Sequence, residues 1–276
     1  MQRKIIAIDI DGTLTNDKKR IMPETKAELI KLSDMGHKIV LCSGRAITGI
    51  EPYLKELNLW GKKGQYAIAF NGGGTYDLST ENVIDAGYLN NQEVMQIAKL
   101  SHSLNVNGEV ITSSSNSYII NGKESVYKKI DRKNSQLIFH KVNDYSFLKS
   151  EHVQKYLWVD EPQVITKQIE NIPADFFKDF QIVRSAPVFL EFLPKNVSKG
   201  NAILHLSQAL DIQSADIIVL GDEENDLSMF NIAGVAIAME NARDEIKKSA
   251  TMISIADNNH DGVGKTLKLL FDSKRA

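Results

Sequence analysis

The sequence predicts an α/β protein: a doubly wound, mainly parallel sheet carrying an inserted α+β segment. Three observations lead there. Five short apolar runs, Lys4 to Ile8, Lys38 to Cys42, Tyr66 to Phe70, Ile217 to Leu220 and Val235 to Met239, are rich in β-branched or small residues and alternate little. That is the pattern of strands buried on both faces of a parallel sheet. Helical stripes lie between them: Leu29, Leu32 and Met35 form one, and Ile50, Tyr53, Leu54 and Leu57 another. From about residue 85 to 194 the rhythm breaks. A helical stripe (Val94, Ile97, Ala98, Ser101, Leu104) is mixed there with strand-like runs at Ser117 to Ile120, Lys155 to Val159 and Val188 to Leu193. The β-α-β order resumes near Lys199, so the division expected is a core of residues 1–84 and 195–276 with an inserted domain of 85–194. Asn71-Gly72-Gly73-Gly74 and Pro194-Lys195-Asn196 mark the hinges.

Composition narrows the function. The 276 residues are 42% hydrophobic and 25% charged, an ordinary globular balance. Lys and Arg number 33 against 35 Asp and Glu, interspersed, so no basic field is present to hold nucleic acid or an anionic membrane. The single Cys42 excludes an intramolecular disulfide and a multi-thiolate metal site. The apolar run after Met1 is broken by Asp9 and Asp11, which is not a signal peptide, and no stretch approaches the roughly 18 apolar residues of a membrane span. The expectation is a soluble, cytoplasmic protein with a small-molecule partner and no nucleic-acid or membrane partner. The sequence is silent on oligomeric state.

In an open parallel sheet, ligands bind at the carboxyl ends of the strands. The runs end in Asp9-Ile10-Asp11-Gly12-Thr13, in Ser43-Gly44-Arg45, in Asn71-Gly72 and in Gly221-Asp222-Glu223-Glu224-Asn225-Asp226. Acids, hydroxyls and glycines therefore converge on one edge. Asp9 and Asp11, two apart, would point to one side of a strand. Two close anions disfavour joint ionisation, and a hard cation such as Mg²⁺ removes that cost, with Asp222 as a third oxygen ligand. Taken alone, these acids could equally be solvated loop residues. Ser43 and Gly44 open a turn before a helix, a place that favours an anion, although Ser43 alone reads as a helix cap. Lys199 begins a helix, where its charge is unhelpful, and that local conflict points to function.

These ordered motifs, with Ser198-Lys199-Gly200 and Gly221-Asp222-x-x-Asn225-Asp226, resemble the haloacid-dehalogenase-like (HAD) superfamily, and more narrowly its Cof-type sugar phosphatases with an α/β cap. The resemblance covers essentially the whole chain. It implies a HAD-like Rossmannoid core and a phosphatase of small phosphate monoesters, sugar phosphates among them, working with Mg²⁺ through an aspartyl-phosphate. It implies Asp9 as nucleophile and metal ligand, and Asp11 as acid/base and metal ligand through its carbonyl. Ser43, Gly44, Lys199, Asn225 and the backbone of Ile10 would hold the phosphoryl group. Asp222 would complete the metal site, with Asp226 in or near its outer shell. The family often has alanine after Asn-Gly, where Gly73 stands here, which predicts a looser hinge. The alternatives are a phosphomutase or phosphotransferase of the same superfamily, and a non-catalytic phosphometabolite binder, which would need no acid/base pair.

Several features are set aside. Gly264-Lys265-Thr266 imitates the end of a P-loop but lacks its first glycine. Cys42 reads as a buried small hydrophobe, and Trp60 and Trp158 as packing residues, with Trp158 a possible neighbour of substrate. His260 is the one histidine near the acidic edge. The polar run Thr112 to Asn116 faces either the site or solvent. Nothing in the sequence assigns Glu223 or Glu224.

Overall fold

The structure is a computed structural model that describes residues 3–120 and 125–272. The chain enters through β1 (Ile5–Asp9), α1 (Pro23–Asp34), β2 (Lys38–Cys42), α2 (Ile47–Glu56) and β3 (Tyr66–Ala69). Two short strands follow, β4 (Gly74–Asp77) and β5 (Val83–Ala86), antiparallel to the strands they join. The middle of the chain forms α3 (Asn91–Ser103), β6 (Gly108–Thr112), β7 (Asn116–Ile120), α4 (Val126–Ser135), β8 (Ile138–Val142), β9 (Val153–Val159), α5 (Pro162–Ile169), α6 (Phe176–Asp179), β10 (Phe180–Ala186) and β11 (Phe189–Pro194). The return comprises α7 (Lys199–Ala209), β12 (Ile217–Gly221), α8 (Leu227–Phe230), β13 (Val235–Ala238), α9 (Asp244–Lys248), β14 (Met252–Ile253) and α10 (Gly262–Asp272).

The first sheet has the order β14-β13-β12-β1-β2-β3-β4-β5 and is parallel from β14 to β3. All five apolar runs of the sequence are strands in it. Strand alternation gives the sheet two cores. Ile6, Ile8, Ile39, Leu41, Ile218 and Leu220 pack against α1, α2 and α10 through Leu29, Leu32, Ile50, Leu54 and Leu267. Ile5, Ala7, Val40, Cys42, Ile217 and Val219 pack against α7 to α9 through Ile203, Leu206, Met229 and Ile246. Met35, expected on the α1 stripe, follows the last turn of that helix and is exposed.

A second sheet, β10-β11-β9-β6-β7-β8, lies wholly between residues 108 and 194. It is antiparallel except for β7 and β8, joined in parallel across α4. One face carries Val110, Tyr118, Tyr156, Trp158, Leu190 and Phe192, packed under α3, α5 and α6. By alternation the other face carries Glu109, Ser117, Lys155 and Glu191, all buried, and Lys155 and Glu191 bond to the first unit. The expected start of the insertion at residue 85 falls inside β5, which belongs to the first sheet. The glycine stretch that leads toward the cap is a hydrogen-bonded turn, in which Gly73 N donates to Phe70 O at 3.1 Å. Gly72 has φ +104°, and a Cβ there would lie 2.2 Å from Ser198 O, so only glycine lets the turn press against the start of α7.

Candidate active site

The carboxyl ends of β1, β2, β3 and β12 meet at one edge, and Lys199, at the first turn of α7, enters among them. Asp9 is the last residue of β1, buried at the sheet edge. The chain then turns through Gly12 at φ +84°, where a Cβ would sit 2.3 Å from Asp222 Oδ2. Glycine is thus required for the first loop to pass beside the second acidic strand end. Thr13 ties the two together, its Oγ1 donating to Asp222 Oδ1 at 2.7 Å.

Lys199 is wholly buried. Its ammonium donates to Asp9 Oδ1 at 2.5 Å and to Asp226 Oδ1 at 2.6 Å. Burial alone lowers its pKa, but Asp226 and Asp9 outweigh that and hold it above the ordinary lysine value. Ser198 caps α7 by accepting from Asn201 N, so the misplaced charge is held by the site rather than by the helix. The other oxygen of Asp226 is engaged as well: Oδ2 accepts from the backbone of Asp222 at 2.8 Å and of Glu223 at 3.1 Å. It therefore shapes the acidic loop and orients Lys199.

The expectation that Asp11 shares the strand face of Asp9 is corrected. β1 ends at Asp9, so the two-residue alternation stops there. The Asp11 carboxylate turns instead to Arg45, with Nε to Oδ2 at 2.8 Å and Nη2 to Oδ1 at 2.6 Å, and to Lys19 at 2.6 Å. Burial pushes its pKa up, but the Arg45 and Lys19 bonds prevail and hold it below the usual range. Both aspartates still line one cavity. Ser43 does not cap α2, whose first turn follows Ala46; its Oγ instead accepts from Arg45 N at 3.2 Å inside the loop. The Ile10 side chain is in the core and its carbonyl is taken by Thr15, which leaves its N–H as the group it can offer. Asn225 Nδ2 donates to Asn71 Oδ1 at 3.0 Å, while its own Oδ1 is buried without a partner.

Asp9, Asp222 and Asp226 each offer an oxygen, and these atoms lie within 4.8 Å of one another. One buried ammonium faces three carboxylates. Burial, with Asp226 and Asp11 adding and Lys199 opposing, pushes Asp9 up to about 7, and burial with Asp9 and Asp226 pushes Asp222 well above its ordinary value. An all-oxygen anionic set that cannot fully ionise alone fits a hard divalent cation such as Mg²⁺. The Asp11 carboxylate lies outside this cluster, so only its backbone could contribute.

Above this edge lies a cavity of about 230 Å³ lined by Asp9, Asp11, Ser43, Gly44, Arg45 and Asn225 from below. Asp131, Asn134, Lys155, Ser185, Phe189 and Glu191 close it from the second sheet and α4. The two halves are bonded: Lys155 Nζ donates to Gly44 O at 2.9 Å, Arg45 Nη1 to Asn134 O at 3.1 Å and Asn71 Nδ2 to Glu191 Oε2 at 2.9 Å. Sequence reasoning did not assign roles to Arg45, Asp131 or Lys155. For Asp131 and Lys155 the available signal was a charge inside a helix or strand pattern, and for Arg45 its place in the loop after a strand end. Glu223 also lines the cavity, while Glu224 pairs with Arg243. His260 is exposed and paired with Asp257, away from the cavity lining. Trp158 is core, with Nε1 donating to Ser101 Oγ, and Thr112 to Asn116 forms the β6–β7 turn, whose Ser115 meets Thr48. Thr266 of the P-loop imitation is buried inside α10.

The chain was compared with known proteins. The sequence profile described as haloacid dehalogenase-like hydrolase matches residues 6–267. YxeH of Bacillus subtilis (strain 168), a candidate phosphatase by name, is 36% identical over 93% of this chain and 94% of its own. The 5-amino-6-(5-phospho-D-ribitylamino)uracil phosphatase YwtE of the same organism is 28% identical over 99% and 100%. A haloacid dehalogenase-like hydrolase from Bacteroides thetaiotaomicron superposes with TM-score 0.84 at 27% identity, over 98% of this chain and 100% of that one. With the profile spanning both sheets and every strand end of the site, the chain belongs to the haloacid dehalogenase-like hydrolases.

Proposed function

We propose that this protein is a Mg²⁺-dependent phosphatase that hydrolyses small phosphate monoesters, sugar phosphates among them, through an aspartyl-phosphate on Asp9. The observation that carries this is Lys199, an ammonium buried between Asp9 and Asp226 beside Asp222. A buried cation there fixes the Asp9 rotamer and offers positive charge where a phosphoryl group gathers negative charge. The relatives' phosphatase names support the class, and one of them acts on a phosphorylated polyol derivative.

In this reading Asp9, Asp222 and the backbone of Asp11 would hold the cation, which would neutralise phosphoryl charge. An Asp9 oxygen attacks phosphorus, the bond to the leaving oxygen breaks, and Asp11 gives that oxygen a proton. Water then attacks the aspartyl-phosphate, Asp11 takes its proton, and inorganic phosphate leaves Asp9 as a free carboxylate. Arg45 and Lys19 hold Asp11 ionised, the state suited to the second step. The first step requires those bonds to loosen as substrate enters, so that Asp11 takes up a proton from solvent to give to the leaving oxygen; the second step returns that proton to Asp11 from the attacking water. Ser43, Gly44, Asn225 and the Ile10 N–H surround the phosphoryl group with donors.

The test is release of phosphate from a generic aryl phosphate. Activity with Mg²⁺, abolished by EDTA and reduced by several orders of magnitude in Asp9→Asn, is expected. Full turnover in chelator, or near-normal turnover of Asp9→Asn, refutes the reading.

A further inference from the structure

The cavity has two chemically different ends. Its floor collects the phosphoryl-binding groups. Its roof carries three charged side chains from the cap: Asp131 on α4, Lys155 on β9 and Glu191 on β11. Two of the three are committed to the fold. Lys155 Nζ donates to Gly44 O at 2.9 Å and pairs with Glu191 at 3.1 Å. Glu191 also accepts from Asn71 at 2.9 Å and from Ser185 at 2.6 Å.

Asp131 differs. Its Oδ1 accepts one long bond from Ser135 Oγ at 3.4 Å, and its Oδ2 is buried with no hydrogen-bond partner. Folded proteins seldom leave a buried carboxylate oxygen unmet, and an exception calls for a reason. Burial holds the Asp131 carboxyl above its ordinary range, with Lys155 opposing and Glu191 reinforcing. The side chain sits over a cavity that must accept a substrate. A carboxylate in the cavity wall that no protein donor fully meets, with its neighbours already paired, is left to read the partner that arrives.

We propose that Asp131 is a specificity determinant, its carboxylate turning to accept a hydrogen bond from a hydroxyl group that the substrate carries at the end remote from the phosphate. The inference rests on the phosphatase reading and deepens it. It defines the substrate class as compact, hydroxylated monophosphates. A cavity of about 230 Å³ lies below the roughly 300 Å³ at which drug-sized pockets begin, so bulky nucleotides are disfavoured. A second phosphate would meet a roof of two carboxylates, Asp131 and Glu191, and one ammonium, Lys155, already paired with Glu191, so the net negative charge disfavours it. An aryl phosphate has no hydroxyl to offer and gains nothing from Asp131.

The test separates recognition from turnover. Calorimetric titrations of the full-length Asp9→Asn protein use a hexose monophosphate, a hexose bisphosphate, phenyl phosphate and inorganic phosphate. The monophosphate is expected to bind about tenfold or more tightly than phenyl phosphate or the bisphosphate. Adding Asp131→Ala is expected to remove that preference, weakening the monophosphate by about tenfold while inorganic phosphate stays within about twofold. Asp131→Asn, which keeps shape and one acceptor, is expected to lose less and to melt with the parent. Equal losses for monophosphate and inorganic phosphate, no loss for either, or no preference with Asp131 intact overturns the proposal. A failed phosphatase reading shows separately, as absent Mg²⁺-dependent release from aryl phosphate by the unmutated enzyme.

Discussion

Replacing Lys199 by Met keeps much of the side chain's length and removes only its charge. In the folded protein Lys199 is wholly buried and holds two carboxylates at 2.5 and 2.6 Å. Losing one partner of a buried ion pair costs about 3–5 kcal/mol, because the remaining charge is left without compensation. At about 2–4 °C per kcal/mol for a chain approaching this length, the melting temperature should fall by roughly 10 °C. Calorimetry in EDTA measures this directly. Adding Mg²⁺ should restore more stability to Lys199→Met than to the parent, since the variant's acidic cluster carries more uncompensated charge. Combining Lys199→Met with Asp226→Asn should cost less than the two single losses together, by about 1 kcal/mol or more. A melting temperature within about 2 °C of the parent, or strict additivity in the double variant, refutes the view that Lys199 neutralises this cluster.

Other outcomes follow from single positions. Burial pushes Glu109 up to about 7, with Ser117 opposing, against 4.5 in an unfolded chain. Between those values the folded protein keeps a proton that the unfolded chain has released, so stability falls as pH rises from about 4.5 to about 7. Glu109→Gln should flatten that fall and be more stable than the parent by about 3 kcal/mol at pH 8 and little changed at pH 4, as read by urea titration. Gly12→Ala should cost about 1–2 kcal/mol for its left-handed backbone alone and more for displacing Asp222, with loss of Mg²⁺-induced thermal stabilisation. Cys42, buried with its pKa pushed far up by desolvation, should resist maleimide in the native protein and react once unfolded in urea.

The core was legible because its strands are buried on both faces. Ile5 to Ile8 and Ile217 to Leu220 face helices above and below and therefore read as unbroken apolar runs. β4, β5 and β14 were not legible: each is four residues or fewer, and exposed Val83 and Ile84 carry no burial pattern. At the site, Asp9, Ser43, Asp222 and Asn225 could be found because each lies at or just after a strand's carboxyl end, and Lys199 because it conflicts with its own helix end. The direction of Asp11 could not be found, since alternation holds only while the strand lasts. Asp131, Lys155 and Glu191 stood out only as charges inside strand or helix patterns, and their place at the site was hidden for another reason. They meet the core residues only through cap packing across long stretches of chain, as in the bond from Lys155 to Gly44, 111 positions apart.

The dock between cap and core has a consequence for how such a protein changes over generations. Arg45 donates to Asn134 O, Thr48 to Ser135 O and Lys155 to Gly44 O, so in each bond one partner is a main-chain oxygen. Every amino acid supplies that oxygen, so the hydrogen bonds of the joint do not depend on which side chains stand at positions 134 and 135. The steric demand falls on the core side, where a Cβ on Gly49 would come within 2.7 Å of Asn134 O. Position 131 lies one helical turn before these main-chain contacts. Mutational drift in α4 can therefore retune what the cavity admits while the machinery beneath it stays fixed.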